Sequence, residues 1–148
     1  MNVKKLYHED IRHFEAMIVL FENVFEMKNF VMPEQGHLRK LLAKEDFHVF
    51  VALADGAVIG GLTAYTLLQY YSVKPLAYIF DLAVSVDHQR QGIGQALIAE
   101  ANRYFQEHGY EEVFVQADQV DTYALDFYRK TFPTGEQDVS HFYYLLNN

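Results

Sequence analysis

Apolar side chains recur along this chain with two different periods, which predict its helices and strands. A spacing of three or four residues is typical of an amphipathic helix, and near the N-terminus it is kept by Ile11, Phe14, Met17, Ile18, Phe21, Val24 and Phe25. A second helical stripe follows Pro33, and two more helices are predicted at 92–107 and 122–130. Alternating or continuously apolar runs predict strands, which lie at 1–6, 47–54, 57–70, 76–86, 112–117 and 139–146.

The order of these elements, β-α-α-β-β-β-α-β-α-β, predicts a mixed α/β fold in a single domain over residues 1–148. Asp55 and Gly56 are a hairpin signal, so the strands on either side should be antiparallel. The strands before and after the third helix should be parallel, as in a right-handed βαβ unit. Gly60 and Gly61 predict a bulge or a close backbone approach within a strand.

Composition narrows the class of protein. The chain has 148 residues, of which 51% are apolar and 16% aromatic, so disorder is excluded as its dominant state. Its formal charge of −8 disfavours a nucleic-acid partner and suits a cationic one. No apolar run approaches the ~20 residues of a membrane span or resembles a signal peptide, which predicts a cytoplasmic protein with no membrane partner. There is no cysteine and no metal-binding histidine spacing, so no metal is expected.

The most informative segment is residues 78–94, where an apolar strand runs into a turn containing Gly92 and Gly94 at the start of a helix. Such a turn presents backbone N–H groups and the positive end of the helix dipole to a phosphate. The dinucleotide fingerprint would need Gly or Ala where Leu97 stands, and no Gly-Lys-Ser/Thr of a P-loop follows. A tight turn whose glycines serve packing alone is the structural alternative.

The pattern Gln/Arg-x-x-Gly-x-Gly/Ala, formed by Gln89, Gly92 and Gly94, resembles the acetyl-coenzyme A turn of the GCN5-related N-acetyltransferases (GNAT). That resemblance implies a twisted, mostly antiparallel sheet of six or seven strands, in which a parallel β4/β5 pair splays apart, with about four helices. It implies acetyl-coenzyme A (acetyl-CoA) as acetyl donor. The implied donor-binding backbone belongs to Leu82, Ala83, Val84, Gln89, Arg90, Gln91, Gly92, Ile93, Gly94 and Gln95.

Tyr128 is the candidate catalytic acid. Transfer of an acyl group from a thioester expels a thiolate, which a nearby phenol can protonate. Phe127-Tyr128-Arg129-Lys130 resembles the family's Leu/Phe-Tyr-x-Lys motif, although the usual Gly-Phe is replaced by Thr131-Phe132. Helix packing is the alternative role for this tyrosine.

Three carboxylates are candidates for binding a cationic substrate. Asp81 interrupts an apolar strand, where a lone carboxylate is costly unless it is paired or solvated. Asp118 and Asp121 follow the fifth predicted strand. One of the three, with Asp118 as the catalytic candidate, can also take a proton from the attacking amine. Asp121 has an alternative role as a helix N-cap, and Asp118 as the start of a loop.

Several short segments narrow the resemblance to the type I aminoglycoside 3-N-acetyltransferases; they are residues 60–65, 78–84, 88–93, 115–118 and 138–142. This subgroup resemblance implies acetylation of the 3-amino group of an aminoglycoside, by direct attack in a ternary complex, and hence antibiotic resistance. A polyamine or a peptide amine is the alternative acceptor, and a non-catalytic acyl-CoA sensor is the alternative class. The aromatic tail Phe142-Tyr143-Tyr144 is a candidate interface for a homodimer.

Overall fold

The computed structural model describes residues 1–147 and contains five strands and four α-helices. In chain order they are β1 (Asn2–Lys5), α1 (Ile11–Val24), α2 (Gln35–Leu42), β2 (Phe47–Ala54), β3 (Ala57–Leu67), β4 (Leu76–Val84), α3 (Ile93–Glu107), β5 (Glu112–Val115) and α4 (Thr122–Arg129). A single 3₁₀ turn at Val86–His88 lies between β4 and α3. The predicted order of elements is therefore confirmed up to α4.

The strands form one sheet in the order β1-β2-β3-β4-β5. The pairs β1/β2, β2/β3 and β3/β4 are antiparallel. The pair β4/β5 is parallel, from Leu76 opposite Glu112 to Ile79 opposite Val115. The mixed α/β fold with one parallel pair is thus confirmed. The number of strands is smaller than predicted, because residues 139–146 are in no sheet of the described chain. Alternation of side chains favours an extended backbone there, but a strand also needs a neighbour with which to exchange hydrogen bonds.

The chain divides into two compact units. The first, Met1–Gln116, holds the whole sheet and α1 to α3, and the second, Ala117–Asn148, holds α4. The single domain expected over residues 1–148 stays a prediction. No helix of the described residues is long and apolar enough to cross a membrane.

The apolar core of the first unit lies on both faces of the sheet. On one face α1 and α2 pack against β2, and their buried residues share one cluster that includes Phe14, Met17 and Leu38. On the other face α3 contributes Leu97 and Phe105, both fully buried. Burial on both faces explains why the central strands have few polar side chains.

Gly61 lets α1 lie directly against the sheet. A Cβ atom built at Gly61 would collide with the Cγ and Sδ atoms of Met17, so a larger residue there would push the helix away. At Gly60 a Cβ would lie 3.2 Å from the Ile93 side chain, on α3. The close approach predicted for the paired glycines is confirmed, and the pairing register also shifts between Ala52 and Leu53 opposite them.

Backbone angles confirm the hairpin signal at residues 55–56 and describe the end of α3. Asp55 and Gly56 have φ of 52° and 81°, as a type I′ hairpin turn requires. Gly109 follows α3 with φ of 80°, in the left-handed conformation that commonly terminates a helix.

His48 is a buried polar residue near the start of β2. Its Nε2 atom lies 2.7 Å from the Thr66 hydroxyl, which is itself 2.7 Å from the Tyr110 hydroxyl. Its ring meets that of Phe105 edge-on, with centroids 5.0 Å apart. Burial lowers the pKa of His48 to about 4, with Lys5 adding to the effect, so the folded protein holds this imidazole neutral at pH 7.

We expect His48 to make the protein less stable in mild acid. The pKa of His48 is lower in the folded state than the ordinary value of 6.5. Between about pH 4 and 6.5 the unfolded chain therefore binds a proton at His48 that the folded protein does not bind. Stability is therefore retained above pH 6.5 and falls as the pH drops toward 4. Between pH 7 and pH 5 the loss should be about 2 kcal/mol. Urea unfolding at both pH values should show this dependence, and His48→Gln should reduce it.

The matched control is His8→Gln, because the His8 side chain is 77% exposed. This variant should keep the pH dependence of the original chain. An unchanged dependence in His48→Gln would contradict the assignment.

Candidate functional site

The candidate site begins where β4 and β5 part. Their pairing ends at Ile79 opposite Val115, and within the described chain residues 80–84 of β4 have no strand on that side. This stretch includes Leu82, Ala83 and Val84, the residues predicted to offer backbone groups. Backbone N–H and C=O groups at an open edge are available to an extended ligand that adds to the sheet as a strand would.

A β-bulge lies at the point of parting. Thr63 pairs with Asp81 and Ala64 pairs with Ile79, which leaves Phe80 as an extra residue in β4. A bulge bends its strand and redirects the side chains around it. Phe80 is accordingly 56% exposed, although it lies in a central strand.

The turn from β4 to α3 exposes several backbone donors. Arg90 and Gly92 both have left-handed φ, of 64° and 80°, which folds the chain tightly around the start of the helix. The first helical hydrogen bond runs from Ala96 N–H to the Gly92 carbonyl, at 3.0 Å. The amides of the three residues between them precede that bond and point out of the helix end, where its dipole is positive. The turn can therefore hold an anion such as a pyrophosphate.

Side chains of the turn anchor it to the sheet. The Gln89 side-chain amide donates to the Val84 carbonyl at 3.1 Å, so this residue ties the turn to the end of β4. Ile93 and Gly94 are buried, while no atom outside the adjacent residues lies within 4 Å of the Cβ position at Gly92. The ten residues predicted to bind the donor thus lie at the end of β4, in the turn that follows and in the first turn of α3.

Asp81 lies in β4 beside this open edge. It is half-buried, and burial raises the pKa of its carboxyl group. Within the described chain no hydrogen bond or ion pair is made by that carboxylate. Burial and the nearby Asp81 raise the pKa of the Tyr65 hydroxyl. A half-buried carboxylate without a protein counter-ion favours a cation from outside the chain.

Tyr65 and Phe80 are candidate site residues that the sequence did not reveal. Their rings meet edge-on at 5.7 Å, and Phe80 also meets Tyr78 at 6.1 Å. Tyr78 in turn stacks on Phe114 of β5 at 4.8 Å. The bulge at Phe80 interrupts the alternation of side chains along β4, so the sequence alone did not assign the faces of Phe80 and Asp81. Only the pairing register contains that signal.

Asp118 and Asp121 lie in the second unit, between β5 and α4. Asp121 caps α4, since its Oδ1 atom accepts the Ala124 N–H at 3.0 Å, which confirms the alternative role considered for it. The Asp121 N–H donates to the Asp118 carbonyl at 3.0 Å, so one turn holds both residues. Both side chains are exposed. Their role toward a substrate stays a prediction.

Tyr128 lies in the last turn of α4 and is half-buried. Its ring packs against Phe127 at 4.9 Å, and its carbonyl accepts the Thr131 hydroxyl at 2.6 Å. Arg129 fastens the same turn by a bidentate pair with Glu136, at 2.9 and 2.7 Å. These contacts connect the end of α4 to residues 131 and 136. The catalytic role of Tyr128 stays a prediction.

Comparisons with known proteins agree on one family. Residues 8–132 match the family model described as acetyltransferase (GNAT) family. No curated protein sequence matches the chain. The described residues contain no group of three or more His, Asp or Glu side chains placed to hold a metal ion.

Solved structures give closer matches. One is the aminoglycoside acetyltransferase meta-AAC0020 from an uncultured soil metagenomic sample, in complex with sisomicin: it is 57% identical, with a TM-score of 0.97 over 99% of this chain and 96% of that one. Another is the aminoglycoside acetyltransferase HMB0005, also from an uncultured soil metagenomic sample, with 30% identity and a TM-score of 0.92 over 99% and 98%. AAC(6′)-Iy with a bisubstrate analogue is similar in fold alone, at 17% identity and a TM-score of 0.78 over 97% of each chain.

We expect Gly92→Ala to destabilise the protein through its backbone. The left-handed φ at Gly92 costs a residue with a Cβ atom about 1 kcal/mol, although the added methyl group would meet open space. Urea unfolding should show a loss of that size. The control is Gly36→Ala in α2, where Gly36 is helical and its added Cβ would meet no atom closer than 4.0 Å. That variant should gain stability. Equal losses in the two variants would contradict the assigned turn.

Proposed function

This chain belongs to the acetyltransferase (GNAT) family, and we propose that it transfers the acetyl group of acetyl-CoA to an amine of an aminoglycoside, at the 3-amino group. GNAT acetyltransferases use acetyl-CoA as their donor. The aminoglycoside acceptor is supported by the relatives at 57% and 30% identity, which are both aminoglycoside acetyltransferases. Acetylation removes a positive charge from the drug, so the proposed biological role is antibiotic resistance in the cytoplasm.

The open edge of β4 and the amide turn that follows it are the observation on which the proposal depends. An extended amide-containing arm can add to residues 80–84 as a strand, while its pyrophosphate lies against the amides of Ile93, Gly94 and Gln95. Arg90 is exposed in the same turn and adds a positive charge. A protein that carries a net charge of −8 needs such local donors to bind an anionic substrate.

Asp81 supports the cationic acceptor. Its carboxylate is half-buried beside the open edge and has no counter-ion within the described chain, so an ammonium group would relieve the cost of its burial. We propose that Asp118 and Asp121 bind further ammonium groups of the same molecule. These carboxylates also favour the protonated amine, which cannot attack. One ammonium group must therefore lose its proton within the site.

The proposed reaction is a direct attack in a ternary complex. The nitrogen lone pair of the acceptor forms a bond to the thioester carbonyl carbon, and the carbon–sulfur bond breaks. Tyr128 donates its hydroxyl proton to the leaving thiolate. The ammonium nitrogen loses two protons in all. The one lost before the attack goes to Asp118, directly or through a water molecule, and from there to solvent, and the one lost after the attack reprotonates the Tyr128 phenolate through solvent. Nothing in this scheme requires a metal.

We propose a homodimer as the working assembly. Large apolar side chains near the C-terminus are exposed in the single chain, among them Phe142, Tyr144 and Leu146. An exposed apolar surface of this extent is typical of an interface.

An acceptor screen tests the substrate and the position of transfer. Release of the CoA thiol should be fastest with an aminoglycoside such as sisomicin, slower with spermidine and slowest with a short peptide. Mass spectrometry and NMR of the product should show acetyl on the 3-amino nitrogen. Asp81→Asn should raise KM at least ten-fold for sisomicin and much less for a monoamine, because only a polycation uses several carboxylates.

Three outcomes would contradict these assignments. Acetylation at another nitrogen would rule out the 3-amino group as the position of transfer. A preference for spermidine or peptide would indicate that the acceptor is not an aminoglycoside. No thiol release with any acceptor, together with tight binding of acetyl-CoA, would indicate a sensor in place of an enzyme.

Tyr128→Phe tests the acid. Loss of the hydroxyl should lower kcat about 100-fold, because general acid catalysis contributes on this scale, and should leave the Kd for acetyl-CoA nearly unchanged. Tyr123→Phe is the control, since Tyr123 lies on the same helix and is 57% exposed. It should retain its kcat. Tyr128 would be removed as the acid by a kcat equal to that of the control.

A further inference from the structure

Tyr65 lies on the face of the sheet that α1 and α2 cover. Gly61 faces α1, because a Cβ atom built there would collide with Met17, and alternation along β3 returns Tyr65 to the same face. The Tyr65 ring also meets Phe47, a member of the core cluster on that face, with centroids 5.2 Å apart. Tyr65 is nevertheless 37% exposed, so part of its ring is available to a ligand.

Phe80 and Asp81 lie on the same face as Tyr65. Asp81 is opposite Thr63, two residues before Tyr65, and opposite residues of an antiparallel pair point to one side of the sheet. The Phe80 ring meets the Tyr65 ring edge-on at 5.7 Å. The bulge therefore places two consecutive side chains of β4 on one face, where a regular strand would place only one.

The polar groups on this face are available to a ligand. Among the described residues the Asp81 carboxylate and the Tyr65 hydroxyl make no hydrogen bond or ion pair. Residues 62–67 of β3 and 76–82 of β4 include no lysine or arginine, so these stretches supply no counter-charge. Burial and then the charge of Asp81 raise the pKa of the Tyr65 hydroxyl, as expected of neighbouring groups. A carboxylate, a hydroxyl and an exposed aromatic ring thus lie side by side.

This combination of groups matches the chemistry of an amino sugar. A six-membered sugar ring presents C–H groups on its faces and ammonium and hydroxyl groups around its rim. The C–H groups can be buried against aromatic rings, whereas the rim needs charged and polar partners. Aromatic side chains suit this role because few torsions are fixed when a ligand packs on them.

We propose, on the basis that the acceptor is an aminoglycoside, that Tyr65, Phe80 and Asp81 form an amino-sugar subsite. The Phe80 ring and the exposed part of the Tyr65 ring pack against the C–H face of one ring of the acceptor. The Asp81 carboxylate accepts hydrogen bonds from an ammonium group of that ring, and the Tyr65 hydroxyl bonds to a neighbouring ring hydroxyl. These side chains position the acceptor and take no part in proton transfer.

The subsite distinguishes an amino sugar from a linear polyamine. Spermidine has ammonium groups but neither a ring nor a hydroxyl, so it uses the charge of Asp81 and gains little from the other two residues. Loss of the Asp81 charge should therefore weaken both kinds of acceptor. Loss of the Phe80 ring or of the Tyr65 hydroxyl should weaken the amino sugar alone, which makes these two residues determinants of specificity.

Tyr65→Phe and Phe80→Leu test the subsite. Tyr65→Phe removes one hydroxyl and should raise KM for sisomicin about five-fold, as expected for the loss of one hydrogen bond. Phe80→Leu keeps an apolar side chain without the flat ring and should raise KM for sisomicin about ten-fold. In both variants KM for spermidine, kcat and the Kd for acetyl-CoA should change by less than about two-fold.

Tyr70→Phe and Tyr70→Leu are the matched controls, because Tyr70 lies in no strand of the sheet and is 97% exposed. They remove a hydroxyl or a ring as the test variants do, and they should leave KM for both acceptors unchanged. Calorimetry with sisomicin, in the presence of CoA, measures the same contacts without turnover. Its Kd should rise in the test variants by the same factors as KM.

The outcomes separate the subsite from the proposed reaction. Equal rises in KM for sisomicin and spermidine, or test variants that bind sisomicin as tightly as the Tyr70 controls, would overturn the subsite and leave acetyl transfer standing. An original protein that binds sisomicin but releases no thiol would overturn the reaction, and the calorimetric comparison would still decide the subsite. An original protein that does not bind sisomicin would overturn both.

Discussion

The parting of β4 from β5 is the constraint on which the candidate site depends. Two parallel strands that stayed paired would satisfy each other's backbone groups and leave nothing for a ligand. Here they pair for four residues and then separate beside a bulge at Phe80. The open backbone of β4 leads directly into a turn with two left-handed residues, Arg90 and Gly92. Main-chain groups that a longer β4/β5 pairing would occupy are thus left available to a ligand.

This arrangement separates two opposite electrostatic tasks. In the proposed reaction the anionic donor meets backbone amides and a helix dipole, whose strength does not depend on pH or on side-chain conformation. In the same proposal the cationic acceptor meets carboxylates, of which Asp81 is half-buried and without a counter-ion in the described chain. A negatively charged protein can therefore bind an anionic substrate, because the donors are local and held by the fold.

The packing behind the sheet keeps these groups in position. Gly61 allows α1 to lie against β3, and Gly60 allows α3 to lie against the other face, so β4 is held between two helix layers. His48 adds a buried polar network that links β2 to β3 and to Tyr110, just before β5. The neutral imidazole of His48 is part of the core at pH 7, and its protonation in acid destabilises that core. The core that positions the site is therefore less stable at low pH.

The sequence by itself determined the order of the elements up to α4 and the turn at Gly92, because periodicity, glycine and N-cap signals are local. It also pointed to Asp81, since a carboxylate within an apolar strand can be recognised from the sequence alone. Only the tertiary structure decided that β4 bulges at Phe80, that Tyr65 and Phe80 lie beside Asp81, and that residues 139–146 are in no sheet of the described chain. These features depend on pairing between distant segments. The alternation of side chains along one strand does not specify which strand it pairs with or where that pairing ends.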